Sequence, residues 1–147
     1  PVNYALLGIF TLCMSFLVGI ITIRYNPQTV LEAASMTAAA TIGITIYAVK
    51  TKTDFTICGP LLFVVGMVFF TLTIFACVFG AKGNLFISAF GVILFSIYLI
   101  YDTQMIVGGK NRKYKIDEDS YILAAVVLYL DIINLFIFIL QMIGGGE

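Results

Sequence analysis

Histidine and tryptophan are absent from this sequence of 147 residues, and only 11% of its residues carry a charge. Without histidine, the side chain that usually titrates near neutral pH is missing, and a common zinc ligand is missing with it. Cys13, Cys58 and Cys77 stand in apolar stretches without CxxC spacing, which indicates small buried hydrophobic residues rather than a disulfide framework or a metal site. Any proton sensing must therefore use carboxylates or, less readily, the thiols.

Apolar residues dominate the composition. They make up 61% of the chain, and the mean hydropathy of +1.09 exceeds that of a soluble domain of this size. A membrane-spanning helix needs roughly 20 mostly apolar residues, and five stretches meet this requirement: about 4–23, 29–49, 55–79, 85–101 and 121–143. These runs are far longer than the roughly ten-residue strands of an outer-membrane barrel. The sequence therefore predicts an all-α, polytopic membrane helix bundle that forms one transmembrane domain within the lipid bilayer.

Basic residues in the short loops predict the orientation. One side of the membrane holds Lys50, Lys52, Lys110, Arg112, Lys113 and Lys115, and the other holds Arg24 and Lys82. The positive-inside rule places the larger set in the cytosol, so the first span starts there and Glu147 ends on the lumenal or external side. The formal net charge of zero gives no indication of a nucleic-acid partner. Because the chain opens on Pro1 and not on Met, we expect that N-terminal sequence is missing.

Two acids belong to polar stripes on predicted helices. Asp131 lies about 11 residues into the last span, roughly 16 Å of helix rise from its cytosolic end. Within about 80° of it on a helical projection lie Ser120, Ala124, Asn134 and Gln141. Asp102 stands at the cytosolic end of the fourth span, and within about 40° of it lie Asn84, Ser88, Gly91 and Tyr98. We therefore expect Asp131 to face the other helices rather than lipid.

The two aspartates are candidates for a proton-sharing pair. A lone charge at membrane depth is costly, and no Lys or Arg lies inside a span to neutralise Asp131. Asp102 is the best partner because its span is adjacent in sequence and ends on the same side. Two close carboxylates cannot both ionise cheaply, so the pair would share one proton and titrate as a unit. The alternative is that each aspartate separately caps a helix or forms hydrogen bonds within the bundle.

Glu32 stands near the external end of the second span. Ser35, Ala39 and Gly43 follow it at four-residue spacing, a small-residue face that lets helices approach closely. We expect Glu32 to line the external entrance of an ion path and Asn134 to lie along that path. Calcium prefers several oxygen ligands, and besides the aspartate pair only Glu32 and Asp54 lie in or beside the spans. These acids are too few for a tight metal site, so the pattern favours a calcium leak, without a cofactor.

Several motifs, in order along nearly the whole chain, carry a family resemblance. They are Asn3-Tyr4-Ala5-Leu6-Leu7, Val30-Leu31-Glu32-Ala33, Tyr101-Asp102-Thr103-Gln104 and Tyr129-Leu130-Asp131-Ile132-Ile133-Asn134-Leu135-Phe136. With them the sequence resembles the transmembrane Bax inhibitor motif family, closest to its lifeguard and glutamate-receptor-associated branch. The resemblance implies a seven-helix fold in which six helices surround a central last one, and this chain resembles the last five.

The resemblance also implies a function. It implies a pH-sensitive calcium leak channel that suppresses apoptosis, located in the endoplasmic reticulum or Golgi, with the plasma membrane as an alternative. Apoptotic regulators or receptor membrane proteins are the implied partners. The pH-sensing pair of bacterial relatives maps onto Asp102 and Asp131, and the family's glutamate motif maps onto Glu32. In those relatives the second helix supplies an arginine that engages the pair, and this sequence has no counterpart of the first two helices.

Two other functions fit part of the pattern. An intramembrane aspartyl protease also needs paired carboxylates, and Tyr101-Asp102 matches half of its motif. Its Gly-x-Gly-Asp motif is missing, because Tyr129 and Leu130 precede Asp131, so we expect no enzyme. The second alternative is a non-conducting membrane protein that modulates receptors or apoptotic regulators through its helices. Ion flux from purified protein in liposomes separates that alternative from a channel.

Overall fold

The computed structural model describes residues 1–80 and 85–145. Within these ranges the chain forms five α-helices, one short 3-10 turn and no strand. The elements are α1 (Val2–Thr22), α2 (Pro27–Lys50), the 3-10 turn (Thr56–Cys58), α3 (Gly59–Val78), α4 (Leu85–Val107) and α5 (Tyr121–Gly144). All five helices are long and apolar enough to cross a membrane. The prediction of an all-α, multi-pass membrane protein is thereby confirmed. Lys82, Asn84 and Glu147, which contribute to the predicted orientation and to the fourth-span stripe, lie outside the described residues.

The fourth helix is longer than its hydropathy predicts. The apolar run ends near residue 101, but α4 continues to Val107, so Asp102 lies inside the helix and not at the start of a loop. Asp102, Thr103 and Gln104 are buried within the bundle, where protein partners replace water and their polarity does not end the helix. The helix ends instead at Gly108, whose φ of +68° suits glycine and whose N–H donates to Gln104 O at 2.8 Å.

Helices α4 and α5 together form the centre of the described bundle. Helix α5 contacts α1, α2 and α4, and its most extensive contact is with α4. Gly91 on α4 allows this close packing, because a Cβ atom added there would lie only 2.6 Å from Cγ of Phe138 on α5. On the other side, Ala33 of α2 is fully buried in a cluster with three α5 residues, Leu135, Ile139 and Leu140. Two helices thus fix the position of α5 along most of its length.

Two expectations about small residues are wrong. Ser35, Ala39 and Gly43 do not pack against another helix in the described chain, because α2 buries a different stripe, which contains Thr29, Ala33, Thr37 and Ala48. The cysteines are also less buried than expected: Cys13 and Cys77 are exposed and Cys58 is half-buried. In both cases the apolar setting is correct, but these side chains lie on the outer surface of the bundle.

Candidate functional site

The polar stripes of α4 and α5 face each other. The two helices run antiparallel, and at the end away from their connecting loop Ser88 Oγ donates to Gln141 Oε1 at 3.5 Å. Further along, the ring of Phe138 covers Gly91. The same register brings Asp102 opposite Asp131 toward the end that the sequence predicts to be cytosolic. The residues that the helical projection placed on one face of each helix, such as Ser88, Gly91 and Gln141, therefore lie where α4 and α5 contact each other.

Asp102 and Asp131 meet inside the bundle. They are only 8% and 4% exposed, and their carboxyl groups are close enough to interact directly. Two ionised carboxylates are both acceptors, and accordingly the buried Asp131 Oδ2 has no donor among the described residues. A proton on one carboxyl group supplies the missing donor. The geometry is thus suited to one shared proton, whereas the role of the pair in sensing pH stays a prediction.

No basic side chain neutralises this pair in the described part of the chain. The ion pair there is Lys115–Glu118, at 3.2 Å on the surface. Tyr98 and Tyr101 of α4 are close enough to interact electrostatically with Asp102. The Tyr98 hydroxyl, however, donates to Leu62 O of α3, so it is already engaged. Proton sharing between the carboxyl groups therefore remains the main way to limit their charge.

The other two predicted site residues lie apart from the pair. Asn134 is half-buried on α5, and its Nδ2 donates to Leu130 O of the same helix at 2.7 Å. Glu32 is exposed near the first turn of α2, where its Oε1 accepts from Gln28 Nε2 at 3.4 Å. Among the described residues no group of three His, Cys, Asp or Glu side chains could hold a metal ion. The functions of Glu32 and Asn134 in an ion path stay predictions.

A side-chain clamp joins two loops on the predicted cytosolic side, and this feature did not follow from sequence patterns. We call Gln104 and Arg112 the loop clamp. Gln104 Nε2 donates to Ala48 O at 3.0 Å and to Thr53 O at 3.2 Å, and its Oε1 accepts from Phe55 N–H at 2.8 Å. The Arg112 guanidinium donates to the same two carbonyls, at 2.9 and 3.2 Å, and to Thr51 O at 2.7 Å. The clamp thus ties α4 and the α4–α5 loop to the end of α2.

Asp54 ties the same loops together a second time. Its Oδ2 accepts from Lys113 N–H at 2.9 Å, and its Oδ1 accepts from Thr56 N–H at 3.0 Å and from the Thr56 hydroxyl. Thr56 Oγ1 in turn accepts from Tyr114 N–H at 3.2 Å. The Thr56 hydroxyl bond is the main reason why the pKa of Asp54 lies below its usual value, with help from the backbone donors and the Arg112 charge. The acid therefore acts here as a loop tether.

Comparison with known proteins places the chain in a family. All 147 residues match the family described as "Inhibitor of apoptosis-promoting Bax1". Protein lifeguard 3 of Mus musculus is 37% identical over 154 residues, covering 100% of this chain and 48% of its own length. Protein lifeguard 3 of Homo sapiens is 38% identical over 98% of this chain and 47% of its own length. Protein LIFEGUARD 4 of Arabidopsis thaliana is 39% identical over 100% of this chain and 59% of its own length.

The extent of these matches decides what they show. The chain spans about half the length of the curated relatives that it matches. The family match itself runs from the first residue of the chain to the last. In agreement with the five apolar helices, it shows that this chain belongs to the Bax inhibitor-1 family.

Proposed function

We propose that this chain contributes the pH-sensing part of a pH-sensitive calcium leak channel in an intracellular or plasma membrane, associated with suppression of apoptosis. The observation that carries the proposal is the buried, unneutralised pair Asp102–Asp131. The family description and the lifeguard relatives support the association with apoptosis. Calcium is the transported ion, and we propose neither an enzymatic reaction nor a cofactor.

The proposed mechanism follows from the charge on the pair. With one shared proton, the carboxyl groups hold α4 and α5 together by a hydrogen bond in a region of low dielectric constant. Loss of that proton places two negative charges side by side. At about 4 Å and an effective dielectric constant of about 20, their repulsion is about 4 kcal/mol. This energy is a large fraction of the net stability of a protein, which is about 5–15 kcal/mol, so it can change helix packing or attract a cation.

Calcium flux from liposomes tests the proposal. We expect Asp102→Asn and Asp131→Asn each to flatten the dependence of calcium leak on pH between roughly pH 5 and 8, the interval that brackets neutrality. The double variant should add little, because either substitution breaks the unit that shares the proton. Asp119→Asn is the matched control, since Asp119 is an exposed acid in the α4–α5 loop.

Each contrary outcome has a distinct meaning. If the single variants kept the wild-type pH profile, or if their effects simply summed, Asp102 and Asp131 would be structural hydrogen-bonding residues. If the purified protein carried no calcium flux at any pH, the non-conducting interaction protein would replace the channel. Proteolysis of a peptide in the same liposomes would revive the aspartyl protease.

A further inference from the structure

We propose that the loop clamp, Gln104 and Arg112, positions Asp102 against Asp131, so that the two cytosolic loops control the acid pair. The part that concerns leak rests on the proposed function, whereas the part that concerns position does not. Neither clamp residue touches Asp131 in the described hydrogen bonds. Both are therefore positioning residues that act through the end of α4.

Gln104 fixes α4 on the side away from the pair. It follows Asp102 by two residues, which is about 200° around a helix, so the two side chains point to opposite faces of α4. The Gln104 side chain is 1% exposed, and its amide uses both donors and its oxygen in hydrogen bonds to backbone groups. A buried amide whose two N–H groups and oxygen are all hydrogen-bonded is held in one rotamer, and it fixes the height of α4, that is, its position along the helix axis. On the opposite face, that height decides whether Asp102 is level with Asp131.

Arg112 reinforces this attachment from a distance. The carbonyls that it binds belong to the end of α2 and the residues just after it, where helical carbonyls lack intrahelical partners and a cation is favourable. Two of them, Ala48 O and Thr53 O, are shared with Gln104. Loss of the guanidinium would therefore loosen the acceptors that hold Gln104. Arg112 is eight residues beyond α4's Gln104, so an effect of Arg112 on the pair cannot come from a local change in α4.

If Gln104 and Arg112 only capped the end of α2, they would make the same hydrogen bonds, but their removal would leave the position of the aspartate pair unchanged. An experiment that distinguishes a cap from a positioning role must leave the groups around the pair in place. Asp131 comes from α5, Tyr98 and Tyr101 come from α4, and Cys58 beside α3 acts on Tyr101. On α2, Lys50 is exposed at the cytosolic end, and Arg112 acts electrostatically on Asp54. A test must therefore remove clamp bonds while leaving these groups in place.

Disulfide formation between residues 102 and 131 measures position without any flux. Asp102→Cys and Asp131→Cys are combined in a chain whose three native cysteines are replaced by alanine, and oxidation by a membrane-permeant catalyst is timed. We expect Arg112→Gln or Gln104→Met to slow this cross-link several-fold. Lys113→Gln removes the same charge from the same loop without a clamp bond, and Ser96→Ala removes a hydroxyl that bonds only within α4, to Val92 O. Both controls should cross-link at the parental rate.

The same substitutions in the protein that keeps both aspartates test control of the leak. We expect Arg112→Gln to flatten the pH profile of calcium leak, Arg112→Lys to restore it in part, and Lys113→Gln to leave it unchanged. An unchanged cross-linking rate in Arg112→Gln would overturn the positioning role, whatever the leak does. A slower cross-link with an unchanged pH profile would overturn control by the loops. A slower cross-link in a protein whose wild-type leak ignores pH would confirm the positioning and reject the proposed function instead. Because Arg112 is half-buried near the surface, this result does not depend on the buried Gln104 variant folding.

Discussion

At the scale of single residues, a carboxyl group does different work according to what surrounds it. Asp131 lies among apolar side chains and meets another acid, so its charge is costly and its proton matters. Asp54 lies among backbone N–H donors beside a guanidinium, so its negative charge is stabilised. Sequence patterns identified the first case, because an acid in an apolar run is conspicuous. They missed the second, since Asp54 binds partners far along the chain that no local pattern brings together.

Acid should loosen the loops only after Asp54 is protonated. Its pKa in the folded protein is lower than the usual aspartate value of 3.8. Its contribution to loop stability is therefore fully present above about pH 4 and is lost as the pH falls through the folded pKa. We expect the Lys113 and Thr56 amides to stay protected from hydrogen exchange at pH 5 and above, a limit about one pH unit above the usual pKa of an aspartate.

Substitution of Asp54 should mimic that acid state at neutral pH. Asp54→Asn should speed exchange of the same two amides, because it removes the charge that both amides contact. Glu118→Gln, which disrupts only the exposed Lys115–Glu118 pair, is the control and should change neither amide. Equal exchange in Asp54→Asn and wild type would show that the tether adds nothing to the loops.

At the scale of elements, hydropathy located all five helices but not the end of α4. For the other four helices, the predicted starts and ends agree with the structure within a few residues. A long apolar run in lipid must form a helix because its backbone groups find hydrogen-bond partners only within the segment. The last six residues of α4 are different. They begin with the polar residues Asp102, Thr103 and Gln104, which look like the start of a loop in the sequence. Only tertiary partners, such as the carbonyls that Gln104 binds, keep this stretch helical. The clamp and the length of α4 were therefore unpredictable for the same physical reason.

The α4–α5 contact should be intolerant of a single methyl group. A Cβ at residue 91 would lie 2.6 to 2.8 Å from three atoms of the Phe138 ring, so the ring or a helix must shift. We expect Gly91→Ala to destabilise the protein by about 1–3 kcal/mol, measured by thermal unfolding in detergent with circular dichroism. Gly43→Ala is the matched control, because among the described residues nothing lies within 4 Å of its added Cβ. A loss of stability in Gly43→Ala as large as that in Gly91→Ala would contradict the packing argument.

At the scale of the whole molecule, the acids lie in separate layers. Glu32 is near the start of α2, on the external side of the predicted topology, whereas the aspartate pair lies toward the other end of the bundle. The pairing across α4 and α5 was predictable because helical periodicity fixes which side chains share a face. Whether Glu32 and the aspartate pair belong to one continuous path was not predictable. The small residues that follow Glu32 at four-residue spacing do not reveal which helix packs against them. Ser35, Ala39 and Gly43 prove to be uncovered in the described chain.

Neutralising Glu32 should weaken calcium entry without unfolding the protein. Glu32 is exposed and its side chain accepts a hydrogen bond from Gln28, so Glu32→Gln removes charge and little packing. We expect lower calcium flux into liposomes, most clearly at low calcium concentration, where attraction of the ion to the entrance matters most. Glu118→Gln makes the same change on the predicted cytosolic side and should affect flux less. Unchanged flux in Glu32→Gln at every calcium concentration would remove this residue from the path.

The two exposed cysteines, Cys13 and Cys77, can report how deep each part of the bundle lies in the membrane. Cys13 stands near the middle of α1, and Cys77 is the last residue but one of α3, at the external end in the predicted topology. A charged thiol reagent added outside sealed vesicles should modify Cys77 far faster than Cys13, whereas a lipid-soluble reagent should modify both, since thiol chemistry requires access to the sulfur. Without any substitution, the labelling of Cys77 thus reports which end of α3 meets the outer solution. Modification of Cys77 only by reagent added to the inside of the vesicles would contradict the predicted orientation.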